Sequence, residues 1–273
     1  MTESRVGNER LRQTWRFVWL LARQRVVDAY RGARLGALWS VLPQFVQIAV
    51  LAVILGAVMS NKLGGAAGGE GVPYVVYMLP GVLVWQFFHD TLVQVAEVLP
   101  AQRLIVKKNA VALSVLPLYV PIAAAVPFVS GVVVLWGLVS VFWQPVPVAA
   151  VGVTLLCALV LGALAYVVGL TWGMVGVVAP DVRLALPALL QTGFWLTPIV
   201  YPFALIPEAL RSWVVWLHPW YGFFAPVQAA WTGLAAAVPW WSMVTMPLGL
   251  FLVHLVLLAR MCRTGRKVLL DAL

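Results

Sequence analysis

From Asn109 to Pro180 the chain runs for 72 residues without an aspartate, glutamate, lysine, arginine or histidine. A helix rises about 1.5 Å per residue and needs about 20 apolar residues to cross a hydrocarbon core of about 30 Å, so this stretch is long enough for two crossings. The turn between them is Trp143–Pro147, where two prolines end helical pairing. Since 63% of all residues are hydrophobic and 10% are charged, the sequence predicts an all-α membrane protein.

Six transmembrane helices can be drawn along the chain. They run over about 38–59, 74–99, 110–142, 147–178, 184–201 and 239–259. Residues 1–273 are therefore expected to form a single membrane domain. Its parts are an interface region at 1–37, spans one to five at 38–201, a segment at 202–238, and span six with a tail at 239–273.

Basic residues mark one side of this predicted membrane domain. Of the 18 lysines and arginines, 16 lie before span one, between spans two and three, between spans four and five, or after span six. Lys62 and Arg211 lie on the other side. The positive-inside rule then places both termini in the cytoplasm. Nucleic acid is not expected as a partner, because the basic residues are dispersed among the ends of loops.

Residues 202–238 are mostly apolar but cannot form a crossing. They are cut into pieces of roughly 11 to 13 residues, too short to span, by Pro202, Pro207, Glu208, Arg211, His218, Pro219 and Pro226. A single extra crossing would also place the basic C-terminus outside. Two short helices near 207–217 and 220–232 that enter the membrane and return satisfy both constraints. A pair of amphipathic helices lying on the surface is the alternative.

The first thirty residues predict an amphipathic helix rather than a span. One apolar stripe with steps of three or four residues is formed by Leu11, Trp15, Val18, Ala22 and Val26. The arginines of this region fall elsewhere on the helix, so we expect it to lie in the cytoplasmic membrane interface and to contact lipids. Simple anchoring would explain the pattern equally well.

Searches for catalytic and metal-binding patterns find none. The three histidines, His89, His218 and His254, show no ligand spacing, so neither a metal site nor a catalytic residue is predicted. The chain lacks a Gly-x-x-x-x-Gly-Lys-Ser/Thr loop, which excludes nucleotide hydrolysis by this chain alone. No cofactor is expected in it.

Asp90 lies inside the predicted second span, beside His89 and seven residues before Glu97. Ionisable groups within a membrane are costly to bury and point to function. A proton relay would need further such groups on facing helices, and spans three to five contain none. We therefore favour a structural role in which Asp90 pairs with a basic residue of another helix.

Aromatic residues are abundant, with 14 tryptophans, 11 phenylalanines and 7 tyrosines. Many fall near the expected membrane interfaces, where an aromatic belt explains them. Those predicted to lie deeper are Phe87, Phe88, Trp172, Phe194 and Trp195. Flat aromatic faces stack on the C–H faces of sugar rings, but ordinary helix packing explains such residues just as often.

The segment 100–109, between spans two and three, is short, basic and amphipathic. It is either a cytoplasmic connector or a helix that seats in a groove of a soluble partner.

Three stretches of the chain together resemble one family. The motifs are Tyr30–Trp39 followed by Pro43, Tyr74–Tyr77 with Pro80-Gly81 and Trp85–Phe88, and Asp181–Arg183 with Leu190-Gln191, Phe194–Tyr201, Ile206-Pro207 and His218-Pro219. This pattern looks like the permease subunit of polysaccharide-exporting type-2 ABC transporters. The segment Thr197–Tyr201 is the most specific part, and it is most similar to the lipopolysaccharide O-antigen branch. Teichoic acid and capsule exporters are related.

The resemblance implies a homodimer in the bacterial inner membrane, bound to two separate ATPase subunits that carry ATP and Mg. The exported substrate would be a polyprenyl-pyrophosphate-linked glycan. The helix that couples the permease to the ATPase would contain Arg103, Leu104, Ile105, Val106, Lys107 and Lys108. Arg31 and Arg34 are placed to attract the lipid pyrophosphate, and positive-inside anchoring explains them equally well.

The resemblance also implies a glycan path and a gate. The aromatic lining of the path would be Phe87, Phe88, Trp172, Phe194, Trp195 and Tyr201. The two short helices of 202–233 would form a periplasmic gate, with Pro198, Pro207, His218 and Pro219 as its marked residues. The chain departs from the family pattern at Pro180, where arginine is usual, and at His218, where asparagine is usual.

Other functions remain open at this point. A type-2 ABC permease for a drug or lipid would have the same topology. A membrane-embedded acyl- or glycosyltransferase should offer carboxylates or a His-Asp pair at one membrane level, and His89-Asp90 is the nearest approach to that pattern. A proton-coupled carrier should show more intramembrane charge and repeated halves.

Overall fold

A computed structural model describes residues 2–29, 42, 46, 49–50, 53–54, 73–101, 115–142, 145–236 and 238–264. All regular structure in these residues is helical, as the sequence predicts. The α-helices are α1 (Thr2–Asp28), α2 (Tyr74–Ala101), α3 (Tyr119–Phe142), α4 (Val148–Val178), α5 (Pro180–Leu196), α6 (Glu208–Leu217), α7 (Tyr221–Thr232) and α8 (Thr245–Thr264). Short 3-10 helices cover Leu116–Leu118, Phe203–Leu205 and Trp240–Met243.

Three of the described helices are long and apolar enough to cross a membrane. They cover Leu116–Phe142, Val148–Val178 and Thr245–Cys262, where spans three, four and six were predicted. Helices α2 and α5 form at predicted spans two and five, but α2 carries several ionisable residues and α5 has 17 residues. Most of predicted span one lies outside the described residues. Six crossings therefore stay a prediction.

The centre of the structure is the crossing of α2 and α4, which pack closely because α4 presents glycines to α2. A Cβ atom at Gly173 would lie 2.8 Å from the carbonyl oxygen of Ala96, and one at Gly169 would lie 2.7 Å from that of Leu92. Neither distance leaves room for a side chain. Such small-residue contacts let helix backbones approach in membranes, where no hydrophobic effect drives helices together.

Helix α1 buries only part of the apolar stripe that is predicted from its spacing. Val18 and Ala22 are buried in a cluster with residues of α2, α3, α4 and α8. Trp15 belongs to the same stripe but is 57% exposed, and Trp19, one turn further along, is 62% exposed. The sequence period identified the apolar stripe, but it could not tell how much of the stripe the bundle would cover. Ala22 and Val18 have small side chains, so helix α1 can lie close to the other helices at these positions.

Helices α6 and α7 begin and end within one residue of the two short helices predicted from the prolines. Their surroundings differ, because α7 packs on α2 and α4 whereas no described side chain of α6 is buried. Within α7, the indole nitrogen of Trp231 donates to Thr154 Oγ1 of α4 at 2.8 Å. Both side chains are buried. Whether these helices enter and leave the membrane on one side stays a prediction.

Candidate functional site

Helix α5 ends at a break of five residues, Thr197–Tyr201, called here the 197–201 segment. Thr197 is extended, with φ −88° and ψ 130°, because the following Pro198 disfavours the helical conformation in the residue before it. The predicted fifth span extended to residue 201, but the helix stops at Leu196. The backbone carbonyls of the segment therefore need partners outside a helix.

Side chains of α2 and α7 supply these partners. Gln228 Nε2 donates to the carbonyl oxygens of Pro198 at 3.0 Å and of Ile199 at 3.3 Å. The hydroxyl of Tyr74 donates to the Val200 carbonyl, and that of Tyr77 donates to the Tyr201 carbonyl at 3.4 Å. Every carbonyl from residue 198 to 201 thus accepts a side-chain hydrogen bond. A non-helical backbone at membrane depth requires this kind of satisfaction.

A second set of hydrogen bonds holds the start of the segment. Thr197 Oγ1 lies 2.7 Å from the Gly193 carbonyl, 3.2 Å from His218 Nε2 and 3.3 Å from Trp220 Nε1. The backbone N–H of Tyr221 donates to His218 Nδ1 at 3.1 Å. Since Nδ1 accepts, the ring proton sits on Nε2 and is donated to Thr197. The Thr197 hydroxyl accepts from His218 and Trp220 and donates to Gly193.

Burial keeps His218 in this neutral form. Desolvation lowers the pKa of His218 from 6.5 to about 4. A proton added to Nδ1 would point at the Tyr221 N–H and remove its acceptor. The hydrogen bonds of His218 are therefore intact at neutral pH, and protonation of the ring in acid would break the one from Tyr221.

An aromatic cluster packs beside the 197–201 segment and is centred on Trp85 of α2. The other members of the cluster are Phe88, Phe194, Phe224 and Trp220. Neighbouring ring centroids lie 5.4 to 6.1 Å apart, and the rings are tilted or edge-on to one another. Such geometry is the preferred packing of aromatic rings. The cluster fixes α2, α5 and α7 relative to one another.

The residues predicted to line a glycan path take three different places. Phe88 is buried in the cluster at 1% exposure, and Phe194 is half-buried at its edge. Phe87 stacks on Phe128 of α3 with centroids 4.9 Å apart, and Trp172 is half-buried against the main core. Trp195 is 55% exposed and contacts Phe194 edge-on.

Tyr201 and two of the predicted gate residues, Pro198 and His218, lie at the same break. The hydroxyl of Tyr201 folds back to the carbonyls of Trp195 and Leu196, at 3.1 and 3.2 Å. Pro198 is buried within the segment, and His218 and Pro219 join α6 to α7. Pro207 is exposed and directly precedes α6.

Sequence reasoning missed the residues that hold the break, which are Tyr74, Tyr77, Trp85, Trp220, Phe224 and Gln228. Three of them, Tyr74, Tyr77 and Trp85, lie in motifs that carry the family resemblance, and Trp220 directly follows His218-Pro219. Their partners are distant in sequence, however, so no local spacing predicts these hydrogen bonds.

The opposite end of α2 carries the ionisable side chains. Asp90 Oδ1 lies 3.0 Å from Nδ1 of the adjacent His89, whereas we expected a basic partner on another helix. Glu97 Oε1 lies 3.1 Å from Nε of Arg183 on α5. Arg31, Arg34 and the predicted coupling residues 103–108 lie outside the described residues. Among the described residues, no group of three or more histidines, cysteines, aspartates or glutamates could hold a metal ion.

Comparison with known families gives one match. The ABC-2 type transporter family matches the chain over residues 16–231, which is most of its length and includes the 197–201 segment. A search of curated proteins found no match.

Proposed function

This chain belongs to the ABC-2 type transporter family and is the membrane permease of an ABC transporter, and we propose that it exports a polyprenyl-linked polysaccharide. Membership of the family implies an ABC ATPase as partner. We assign the ATPase to a separate subunit, because this chain has no phosphate-binding loop. The O-antigen class is the substrate that the motif at 197–201 favours.

The observation that carries the proposal is the fixed break at the end of α5 next to exposed aromatic residues. A glycan cannot shed its hydration into hydrocarbon, so it needs a protein-lined path. Trp195 lies one residue before the end of α5, and Trp213 and Trp216 lie on α6; all three are more than half exposed. Large apolar rings exposed at the end of α5 and on α6 suit a surface on which sugar rings slide.

The path is assigned to the junction of two copies of the chain, related as in most homodimers by a two-fold axis. Arg31 and Arg34 would attract the pyrophosphate at the cytoplasmic side. Residues 103–108 would seat in the ATPase, and the turn at His218-Pro219 would act with α6 and α7 as the periplasmic gate. The termini would lie in the cytoplasm, in the inner membrane.

Replacing Trp195 by alanine tests the substrate class. In cells that depend on this permease and its ATPase, Trp195→Ala should reduce surface polysaccharide several-fold, while Trp195→Phe retains most of it. Leu184→Ala is the matched control, because Leu184 is also exposed on α5 but is not aromatic. Normal polysaccharide in Trp195→Ala, together with loss of extrusion of a lipid or drug, would favour the lipid or drug permease instead.

A further inference from the structure

A cleft of about 260 Å³ lies between α1, α2 and α3, on the side of α2 opposite Trp85 and Phe88. Its floor is apolar and includes Leu83 and Phe87 of α2 and Phe128 of α3. The two phenylalanine rings stack with their centroids 4.9 Å apart. Apolar surface at this position suits an alkyl chain.

The rim of the cleft carries a positive and a negative group. Arg25 of α1 donates through Nη2 to Oε1 of Gln94 at 2.6 Å, and its guanidinium lies 5.6 Å from the ring centroid of Tyr119. Neither of these partners carries a charge. Asp90 also lines the cleft, and its carboxylate is 40% exposed.

Helix α2 places Asp90 and the glutamine that holds Arg25 on one side of the cleft. Asp90 precedes Gln94 by four residues, so the two residues lie about one helical turn apart on the same side of α2. The stripe Leu83, Phe87, Asp90 and Gln94 faces the cleft at steps of four, three and four residues. Arg25 and Asp90 therefore both line the cleft beside its apolar floor.

We propose that this cleft binds a phosphatidylethanolamine molecule of the surrounding bilayer. Its phosphate would accept hydrogen bonds from Arg25, its ammonium group would donate to Asp90, and the upper part of one acyl chain would lie on Leu83, Phe87 and Phe128. The headgroup carries both charges across a short O–C–C bridge, so one molecule can reach two charged side chains that line the same cleft. Charge-assisted hydrogen bonds of this kind are the strong ones.

The Asp90 carboxylate is the group that distinguishes phosphatidylethanolamine from other lipid headgroups. Phosphatidylglycerol offers Arg25 the same phosphate but leaves Asp90 facing a neutral glycerol. Phosphatidylcholine has the positive charge but no N–H to donate. A polyprenyl phosphate has an anion and an apolar tail, but no cation. Each of these amphiphiles should therefore bind the cleft more weakly than phosphatidylethanolamine.

Native mass spectrometry of the purified full-length chain tests the proposal. With phosphatidylethanolamine, phosphatidylcholine and phosphatidylglycerol of identical acyl chains, we expect about a tenfold preference for the first, as one charge-assisted hydrogen bond would give. Asp90→Asn should abolish the preference, and Arg25→Gln should weaken all three lipids. Glu208→Gln is the control, because it removes an exposed carboxylate from α6, away from the cleft.

Ala124→Leu supplies an independent variant that keeps both charges. Ala124 lines the cleft from α3 and is half-buried, so a larger side chain should fill the floor and reduce binding of every lipid. Unchanged melting temperatures without added lipid would establish that the variants fold. Equal binding of phosphatidylethanolamine and phosphatidylglycerol by the parent chain would overturn the proposal. Tighter binding of undecaprenyl phosphate would also overturn it and would assign the cleft to substrate lipid.

Discussion

Glu97 and Arg183 form an ion pair, with 3.1 Å between Oε1 and Nε, that joins the end of α2 to the beginning of α5. Nε of Arg183 is buried without an aligned hydrogen bond, so the contact is an ionic one. Glu97 stands four residues before the end of α2, which leads into the predicted coupling segment. Arg183 stands on the helix whose other end is the 197–201 segment. The pair therefore lies between the predicted ATPase contact and the predicted gate.

Breaking this pair should uncouple ATP hydrolysis from transport. In the permease–ATPase complex, Arg183→Gln is expected to retain ATP turnover and lower polysaccharide export several-fold, because α5 would no longer follow α2. The loss of stability should be small, about 1 kcal/mol or less, since Glu97 is half exposed. The exchange Glu97→Arg with Arg183→Glu should restore part of the export. If the double variant exported no more polysaccharide than the single variants, the ion pair would not couple α2 to α5.

Acid should weaken the packing of α6 and α7 through His218. The pKa of His218 falls from 6.5 to about 4 on folding, so the unfolded chain binds a proton between these values and the folded chain does not. The contribution of His218 to the free energy of unfolding is therefore fully present above pH 6.5. It declines as the pH falls toward 4, by about 3 kcal/mol in total. Melting temperatures of the purified chain between pH 8 and 4.5 measure this.

His218→Asn is the informative variant, because an asparagine can accept from Tyr221 and donate to Thr197 without titrating. It should keep export at neutral pH and show a flatter dependence of melting temperature on pH. His254→Asn serves as the control, since His254 lies on α8 and its Nδ1 contacts the Leu250 carbonyl of the same helix. A parent chain whose stability does not change over this pH range would contradict the assignment of a neutral, buried His218.

Gln228 should be essential for the 197–201 segment. Gln228→Leu keeps the approximate volume but leaves the carbonyls of Pro198 and Ile199 buried without donors. Each such group costs about 1–3 kcal/mol, so the melting temperature of the variant should fall markedly. Gln191→Leu on the exposed side of α5 is the control and should melt like the parent chain. Similar melting of both variants would mean that water satisfies the two carbonyls.

The close approach of α2 and α4 should not tolerate a side chain at Gly173. Gly173→Ala places a methyl group against the backbone of Ala96 and is expected to cost about 1–3 kcal/mol through overpacking. Gly152→Ala, on the same helix, meets nothing within 4 Å and should be neutral or slightly stabilising. Thermal melting of the two variants compares them directly, and equal melting temperatures would show that the crossing relaxes at little cost.

The sequence predicted those parts of the fold that depend on local composition. The hydrophobic runs of α3, α4 and α8 have crossing length by themselves, and Pro207 and Pro219 mark where α6 and α7 begin. These features need no knowledge of which helices are neighbours.

The remaining features depend on contacts between distant residues. Trp15 belongs to the apolar stripe predicted for α1 but is exposed, because a helical period does not say how much of a stripe the bundle covers. The hydrogen bonds from Tyr74 and Gln228 to the 197–201 segment join residues more than 25 positions apart. Glu97 and Arg183 gave no sign of pairing, because each is an ordinary charged residue in its own segment.

Residues 202–236 should be reached from the periplasm without crossing the membrane. Spans one to five would leave the chain outside at Tyr201, and span six must begin outside to deliver the basic C-terminal residues to the cytoplasm. In a chain with Cys157→Ala and Cys262→Ser, cysteines at Ser212 and Ala235, both exposed, should label with a membrane-impermeant thiol reagent added to spheroplasts. Gly222 is unsuitable because α7 buries it.

A cysteine at Arg260, which is exposed near the end of α8, should label only after the membrane is broken. This opposite behaviour is the internal control, because it excludes leaky spheroplasts as the reason for labelling at Ser212. If Ala235→Cys labelled solely from the cytoplasmic side, α6 and α7 would together complete a crossing. The parity of spans would then be different, and the assignment of α6, α7 and His218 to a periplasmic gate would be wrong.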